Sequence, residues 1–333
     1  MTRLVQLQSG AQRRVALVDE PRLRLLAEFP SVCALAEAAL ARGVTLTALV
    51  AQQATGETLD YEQVWQGKTP WRLLVPIDHS ADPARCLVSG TGLTHLGSAK
   101  NRQAMHEAAG TAVTDSMRMF RSGVAGGRPA PGAVGSAPEW FYKGTGMILR
   151  GPGEALPVPP YAEDGGEEAE IAGVYLIDGS GRPRRIGMAN GNEFSDHKFE
   201  KTNYLNLAGS KLRPCGLGPE LVIDPEFQSV VGTVAIERGG RVFWSKAIAT
   251  GETEMSHSLA NIEHHHFKFE THRRPGDLHV HYYGAHSLSF GDGVQLADGD
   301  VMTVQFAGFG RPLRNPLRIA AGPQAPVVVS PLA

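Results

Sequence analysis

Short apolar runs separated by turn residues dominate the pattern of this chain, and they predict mainly strands. The runs LVQLQ and RRVALV, both within the first 18 residues, predict a pair of strands. The segment 31–53 has the apolar spacing and the Ala and Leu content of one or two helices. WRLLVPI (71–77) predicts a further strand, which Pro76 places at an edge or an end of a sheet. Residues 1–75 are therefore predicted to form a small α/β domain.

The second domain is predicted to extend from residue 76 to residue 333. It begins with a strand, a glycine turn and a helix over 86–110, and this helix is predicted to continue to about Phe120. A stretch rich in Gly, Pro and Ala follows at 121–140. Such a stretch is typical either of a linker between domains or of a mobile active-site lid, here placed at about 100–138. The lid is favoured because apolar strands resume on both sides of it.

Strands and turns also make up most of the remaining chain. The predicted elements are a strand–turn–strand at 141–160, a short helix with a loop at 194–224, a hairpin at 228–250 that turns at Gly239-Gly240, a helix at 256–270 and a series of strands from 276 onwards. The 39 glycines and 22 prolines fit a turn-rich β protein. The predicted fold class is therefore α+β, mostly β.

Composition and charge exclude several functional classes. With 20% charged residues and a net charge of −2, the chain has no basic footprint for nucleic acid. Its apolar stretches are far shorter than the ~20 residues that cross a bilayer, and its N-terminus lacks the apolar segment of a signal peptide. Cys33, Cys86 and Cys215 have no ligand-type spacing, which indicates reduced thiols. We therefore expect a cytoplasmic protein with neither a nucleic-acid nor a membrane partner.

Three acidic residues in one stretch, 168–193, give the clearest candidate chemistry. Glu168 and Glu170 share one face of a predicted strand, and a hairpin return after the turn DGSG can bring Glu193 beside them. Crowded carboxylates repel one another unless a cation compensates their charge. Oxygen-only ligation suits Mg²⁺, Mn²⁺ or Ca²⁺. The alternative, which these residues alone leave open, is a solvated strand edge without a ligand.

Other candidate residues have weaker local support. Lys143 lies in FYKG, and Lys211 and Arg213 precede a Gly/Pro turn where they can either hold a substrate carboxylate or form a solvated loop. The run at 264–266 is three consecutive histidines, and consecutive helical residues point about 100° apart, so they cannot all face one metal ion. The sequence contains no G-x-S-x-G, H-E-x-x-H, P-loop or C-x-x-C motif.

The order of several landmarks resembles the fumarylacetoacetate hydrolase superfamily from about residue 71 to the end. These landmarks are WRLLVPI, GTGL, FYKG at 141–144, E-x-E at 168–170, G-N-acid at 191–193, G-P at 218–219, and GDL, L-x-x-GD and F-x-G-F-G-x-x-x-N-P in the terminal segment. The resemblance implies a mixed β-roll, usually a homodimer, with a homotetramer as the other option. It also implies a divalent metal, Mg²⁺ or alternatively Mn²⁺ or Ca²⁺, held by Glu168, Glu170 and Glu193. In such proteins the metal typically chelates the carboxylate and 2-oxo group of the substrate.

Two departures from the superfamily pattern change the expected reaction. The third ligand is usually Asp, whereas Glu193 stands here. The hydrolases carry a histidine in G-L-N-Y-x-x-H, whereas Ser98 occupies that place in GLTHLGS. A serine hydroxyl is a poor general base unless another group takes its proton. The dehydratases of this superfamily that act on 2-keto-3-deoxypentonates look similar at this position. The chain also resembles the AraD-like and GguC-like branch found among sugar-acid catabolism genes.

These resemblances imply a dehydratase that converts 2-dehydro-3-deoxy-D-pentonate to 2,5-dioxopentanoate. Lys143 is the candidate for enolate stabilisation or proton transfer, with Ser98 and Glu193 as the other catalytic candidates. The residues expected to contact the 2-oxo sugar acid are Thr94, His95, Lys211, Arg213, Gly284 and Ala285.

Two alternatives to the dehydratase stay open. One is a metal-dependent C–C hydrolase of a 2,4-dioxo acid of the acylpyruvate type, in which His95 or His106 replaces the missing histidine. The other is a sugar-acid-binding protein without turnover.

Overall fold

Strands carry most of this fold. The computed structural model describes residues 1–107 and 114–332, apart from the side chains of 101, 102 and 104–107. In chain order the strands of the described residues are β1 (Thr2–Ser9), β2 (Gln12–Asp19), β3 (Arg22–Leu26), β4 (Ala54–Asp60), β5 (Arg72–Leu73), β6 (Cys86–Gly92), β7 (Glu139–Thr145), β8 (Leu149–Arg150), β9 (Leu156–Val158), β10 (Ala169–Ile177), β11 (Pro183–Asn192), β12 (Cys215–Leu217), β13 (Leu221–Ile223), β14 (Val230–Arg238), β15 (Arg241–Thr250), β16 (Leu278–Tyr282), β17 (Val301–Phe306) and β18 (Leu313–Ile319).

These strands form two sheets. The 13-stranded sheet has the order β4-β3-β2-β1-β13-β11-β10-β16-β6-β7, with β5 beside β1 and with β12 joining β11 to β8. The 5-stranded sheet has the order β15-β14-β17-β18-β9. Most neighbours are antiparallel, whereas β6 with β16, β8 with β12 and β9 with β18 are parallel pairs. The predicted class, α+β with mixed and mostly β structure, is confirmed.

The helices are short, and each of them connects strands along the chain. Those of the described residues are α1 (Val32–Arg42), α2 (Leu46–Gln53), α3 (Tyr61–Trp65), α4 (Leu96–Glu107), α5 (Asp115–Gly126), α6 (His197–Thr202), α7 (Leu207–Lys211) and α8 (Leu259–Phe267). In the described part of the chain, no single helix has the length and apolar composition needed to cross a membrane. By length and composition only, α1 and α2 meet that test when taken together, as a pair bent by 111°.

Strand β10 lies at the centre of the fold, and all nine of its residues are buried. One face, with Ala172 and Val174, packs in a core cluster with residues of α1 and α2. The other face, with Ala169 and Ile171, packs in a cluster with residues of β17 in the smaller sheet. A strand covered on both faces reads as a continuous apolar run. Each large apolar side chain buried here stabilises the fold by about 1.5–3 kcal/mol.

Several elements agree with the sequence pattern. Strands β1 and β2 pair, and the segment predicted to form one or two helices forms α1 and α2. The hairpin of β14 and β15 turns at Gly239-Gly240 as predicted, and α8 is the predicted helix. The segment 194–224, predicted to contain one short helix with a loop, contains two short helices, α6 and α7, together with two short strands, β12 and β13, that the pattern did not indicate.

One predicted strand is much shorter than expected, and one predicted helix is wrong. Within 71–77 only Arg72 and Leu73 form a strand, because their pairing with Leu7 and Gln8 of β1 ends before Pro76, which lacks an N–H. The helix predicted to continue to Phe120 is divided into α4 and α5. Thr114 has an extended backbone, with φ −74° and ψ 162°, and its side chain accepts the N–H of Met117, so it begins a new helix.

The Gly- and Pro-rich segment after α5 is held against α8. Asn261 accepts the N–H of Gly135 (3.0 Å) and donates to the carbonyl of Ser136 (2.9 Å). Arg128 donates to the carbonyl of Met255 (2.6 Å). The lid at about 100–138 stays a prediction, and its residues 108–113 lie outside the described residues.

The N-terminal strands continue the larger sheet, since β1 pairs with β13. A buried carboxylate also joins the two parts of the chain. Glu220 accepts hydrogen bonds from Arg3 (2.9 Å), from the hydroxyl of Tyr61 (2.8 Å) and from the N–H of Arg311 (3.1 Å). The division into domains at residues 75 and 76 stays a prediction.

Candidate metal centre and active site

A hairpin brings the three predicted acids together. Glu168 immediately precedes β10, Glu170 is its second residue, and Glu193 immediately follows β11. The two strands are antiparallel, with Ala169 opposite Asn192, and the N–H of Glu193 donates to the carbonyl of Glu168 (2.9 Å). One ligand oxygen from each acid lies within 4.8 Å of the others. The predicted clustering is confirmed, and among the described residues this is the one such group of acids, histidines and cysteines.

Packing requires a glycine at position 191 of β11, two residues before Glu193. A Cβ added to Gly191 would lie 2.5 Å from a ring carbon of Tyr282. Tyr282 is fully buried on β16, which pairs with the other edge of β10, and it donates its hydroxyl to the carbonyl of Gly216. A side chain at position 191 would therefore push β11 away and move Glu193 with it.

Glu170 is fixed by the backbone of a tight turn. Its Oε2 accepts the N–H of Gly284 at 2.7 Å. Gly284 has φ +101°, and a Cβ there would lie 2.0 Å from Thr94 Oγ1, so only glycine fits. Burial raises the pKa of Glu170 well above its usual range, and the neighbouring Glu193 and Glu168 add to that rise.

Two buried lysines contact the acids through different sets of oxygens. Lys143 Nζ contacts Glu193 Oε1 and also donates to the carbonyls of Glu193, Phe194 and Lys211 at 3.0–3.1 Å. Lys211 Nζ lies 2.5 Å from Glu168 Oε1 and 2.6 Å from Glu193 Oε2. Lys143 therefore binds four oxygens, whereas Lys211 bridges two acids.

Because their neighbours differ, the pKa values of Glu168 and Glu193 shift in opposite directions. Burial tends to raise the pKa of Glu168, but Lys211 and the hydrogen bond from His197 outweigh it and hold that pKa well below its usual range. The pKa of Glu193 is raised by burial and by Glu168, although Lys143 and Lys211 oppose the rise.

The donor set fits a hard divalent cation. The three buried carboxylates lie close enough to raise the pKa of Glu170, a repulsion that a bound divalent cation would relieve, and every candidate ligand atom is oxygen.

A small cavity of about 20 Å³ adjoins Glu168. Its wall is formed by the residues Gly92, Leu93, Ser98, Glu168, His197, Glu200, Ala285 and Leu288. Leu93 has φ +55°, a left-handed conformation that costs a non-glycine residue about 1–3 kcal/mol and that clusters at functional sites. The cavity holds about one water molecule, so a substrate has to widen it.

The other predicted site residues divide into two groups. Ser98 and Ala285 line the cavity, and Gly284 holds Glu170. By contrast, Thr94 donates to the carbonyl of Tyr283, and His95 bonds with Thr94 and Thr250 through its two ring nitrogens. Neither Thr94 nor His95 is part of the cavity wall.

Arg213 also binds residues outside the acid cluster. It is buried, and it donates to Asp196 Oδ2 (2.7 Å) and to the carbonyl of Asp164 (2.7 Å). The side chain of His106 lies outside the described residues.

Several residues near the site were missed by sequence reasoning. Glu139, Phe141 and Lys143 share one face of β7, and a Cβ added to Gly92 in the cavity wall would lie 1.8 Å from Glu139 Oε1. Side chains two residues apart on a strand point to the same face, so the choice of Lys143 as a site residue also indicates Phe141 and Glu139. Glu167, beside the predicted acids, accepts both the N–H and the hydroxyl of Ser289 at 2.7 Å.

Comparison with known proteins gives matches only among solved structures. No family model and no curated protein matches this chain. A 2-keto-3-deoxy-D-arabinonate dehydratase in its apo form is 21% identical with a TM-score of 0.68, over 96% of this chain and 100% of that one. Its complex with magnesium and 2,5-dioxopentanoate is 20% identical with a TM-score of 0.68 over the same shares. This chain has the fold of the fumarylacetoacetate hydrolase superfamily. The resemblance seen in the sequence is thus confirmed at the level of the fold.

The same fold extends to isomerases. The 2-hydroxyhepta-2,4-diene-1,7-dioate isomerase from Mycobacterium marinum is 17% identical with a TM-score of 0.60, over 97% of this chain and 100% of that one. Structures of this fold at such identities therefore include proteins with different named reactions, and the choice among reactions depends on the residues of the site.

Proposed function

We propose that this protein is a metal-dependent dehydratase of a 2-keto-3-deoxy sugar acid. The observation that carries the proposal is the buried cluster of Glu168, Glu170 and Glu193, bridged by Lys211. A second support is Ser98 in the cavity wall, at the place where the hydrolase pattern has histidine. A third is the shared fold with a dehydratase whose structure contains magnesium and 2,5-dioxopentanoate.

The three glutamates are the residues that would hold Mg²⁺, with Mn²⁺ or Ca²⁺ as alternatives. When bound, the ion would supply a Lewis acid for the carboxylate and 2-oxo group of the substrate, which acidifies the adjacent C–H. Gly284 keeps Glu170 in place through its N–H, and Lys143 keeps Glu193 in place. Because Lys143 already contacts four oxygens, we assign it to positioning rather than to proton transfer.

Proton transfer is assigned to groups nearer the cavity. The reaction removes a proton from C3 and expels the C4 hydroxyl, which leaves as water after taking a proton. Lys211 is proposed for one of these transfers, since it contacts Glu168 of the cavity wall. Glu139 is proposed for the other, since its carboxyl group lies against Gly92 and is held by Tyr204 (3.0 Å). For a pentonate, the dehydrated product tautomerises to 2,5-dioxopentanoate.

The cavity wall favours a hydroxylated tail on the substrate. Ser98, His197 and Glu200 supply polar groups, and Leu93, Ala285 and Leu288 complete the wall. Buried polar groups that hydrogen-bond substrate hydroxyls discriminate strongly against analogues that lack them. We therefore propose 2-dehydro-3-deoxy-D-pentonate as the substrate.

A product assay tests the reaction class. The protein is stripped with a chelator, reloaded with Mg²⁺ and supplied with a panel of 2-keto-3-deoxy acids, and the products are followed by NMR. We expect 2,5-dioxopentanoate from the pentonate in the reloaded protein and none in the stripped protein. Release of pyruvate from an acylpyruvate would indicate the C–C hydrolase instead. Binding of the sugar acid by the reloaded protein without any product would indicate a binding protein.

Assembly and compartment are proposed as well. All three cysteines are buried free thiols, which supports a reducing compartment such as the cytoplasm. A homodimer, or alternatively a homotetramer, is proposed, and light scattering after size exclusion measures the mass that decides between them.

A further inference from the structure

The ammonium group of Lys211 lies among the carboxylates that are proposed to hold the metal. Its Nζ contacts Glu168 at 2.5 Å and Glu193 at 2.6 Å, and its side chain is 1% exposed. Water and salt therefore screen these contacts very little. A cation bound by all three acids needs oxygens of the same two carboxylates that Lys211 already engages.

Among the described donors to these acids, Lys211 contacts two of them, whereas His197 reaches Glu168 alone. Glu170 is held by the N–H of Gly284, which carries no net charge. Lys143 reaches only Glu193, through Oε1, whereas Lys211 engages Oε2 of that residue and also Glu168. Without Lys211, the buried acids would repel one another across the position proposed for the metal.

A second acceptor for the ammonium lies close by. Lys211 Nζ is 4.6 Å from the centre of the Phe141 ring on β7. An ammonium group over an aromatic face is stabilised by the ring quadrupole, and more so when it is desolvated. The side chain thus has an alternative partner when its carboxylate contacts are lost.

We propose that Lys211 is an internal counter-ion that competes with the divalent cation for Glu168 and Glu193. In the metal-free protein its ammonium holds the acids together, and binding of the cation releases it toward Phe141 and the cavity. Metal binding thereby makes Lys211 available to the substrate. The inference rests on the cation site of the proposed function. It adds that Lys211 sets the affinity of this site for the cation, and that the bound cation makes Lys211 available to the substrate.

The test measures Mn²⁺ binding without substrate, by electron paramagnetic resonance and by calorimetry, on chelator-treated protein. Lys211→Met is expected to bind Mn²⁺ about tenfold more tightly than the wild type, because no ammonium has to be displaced. Its melting temperature without metal is expected to be lower than that of the wild type and to rise further on saturation with Mn²⁺.

Lys143→Met is the matched control, since it removes the same charge from the same site. We expect it to bind Mn²⁺ no more tightly than the wild type, because Glu193 loses its support and three carbonyls lose their donor. Phe141→Leu removes the alternative partner and is expected to weaken Mn²⁺ binding. The same change made on top of Lys211→Met is expected to have no effect on affinity. Phe141→Leu keeps the test decisive if Lys211→Met does not fold without metal.

Equal or weaker Mn²⁺ binding by Lys211→Met would overturn the inference. Equal tightening by Lys143→Met would also overturn it, since the effect would then be a general loss of positive charge. If the wild type and all variants bind Mn²⁺ with one affinity, only this inference fails. If none of them binds a divalent ion, the proposed function fails with it.

Discussion

Replacing His281 by glutamine is expected to change how the stability of this protein depends on pH. His281 lies in β16 and is 1% exposed. Its Nδ1 is 2.8 Å from Ser89 Oγ, and its Nε2 is 2.7 Å from Thr91 Oγ1. Burial lowers the pKa of His281 from 6.5 to about 3, and the neighbouring His279 and His272 contribute to that depression.

The sign and size of the effect follow from proton linkage. Between pH 6.5 and about 3 the unfolded chain takes up a proton at this histidine while the folded protein does not. The contribution of His281 to stability is therefore present above pH 6.5 and is lost as the pH falls below that value. One proton corresponds to about 1.4 kcal/mol per pH unit, so the loss between pH 7 and pH 5 is about 2 kcal/mol.

Urea unfolding of the wild type and of His281→Gln at pH 5, 6 and 7 measures this contribution. Glutamine does not titrate, so the difference in unfolding free energy between the two proteins should shrink by about 2 kcal/mol from pH 7 to pH 5. The exposed His264→Gln serves as the control, because its ring is solvated before and after unfolding. A difference between wild type and His281→Gln that is the same at all three pH values would refute the reasoning.

Three further predictions concern the site and its support. Glu170→Gln should fold but bind Mn²⁺ at least about a hundredfold more weakly, since even outer-shell changes cost metal affinity of about 10–100-fold; full dehydratase activity in the folded variant would contradict ligation by this carboxylate. Gly284→Ala should destabilise the protein by about 1–3 kcal/mol because of the positive φ at this position and the close approach of Thr94. A melting temperature that calorimetry finds unchanged would contradict this steric argument. Tyr61→Phe should cost about 1–3 kcal/mol in urea unfolding, because the buried carboxylate of Glu220 loses a hydroxyl donor; an unchanged midpoint would show that this contact does not stabilise the fold.

The fold class and the acid cluster could be predicted because both depend on local pattern. Glu168 and Glu170 share a strand face because side chains alternate along a strand. Glu193 follows in the same hairpin, so few alternative registers exist that keep the apolar residues buried. By contrast, the helix break at Thr114 was missed, since an N-cap side chain competes with helix continuation through a single local hydrogen bond.

By itself, the sequence determined where apolar runs form strands, where the chain turns and which three acids come together in one hairpin. Only the tertiary structure decided what each cation and histidine contacts. Lys211 reaches Glu168 across 43 residues of chain, and His95 reaches Thr250 across 155 residues, away from the cavity. Side-chain direction at such separations is set by the packing of distant strands, because a long polar side chain takes the buried partner that the completed core offers it.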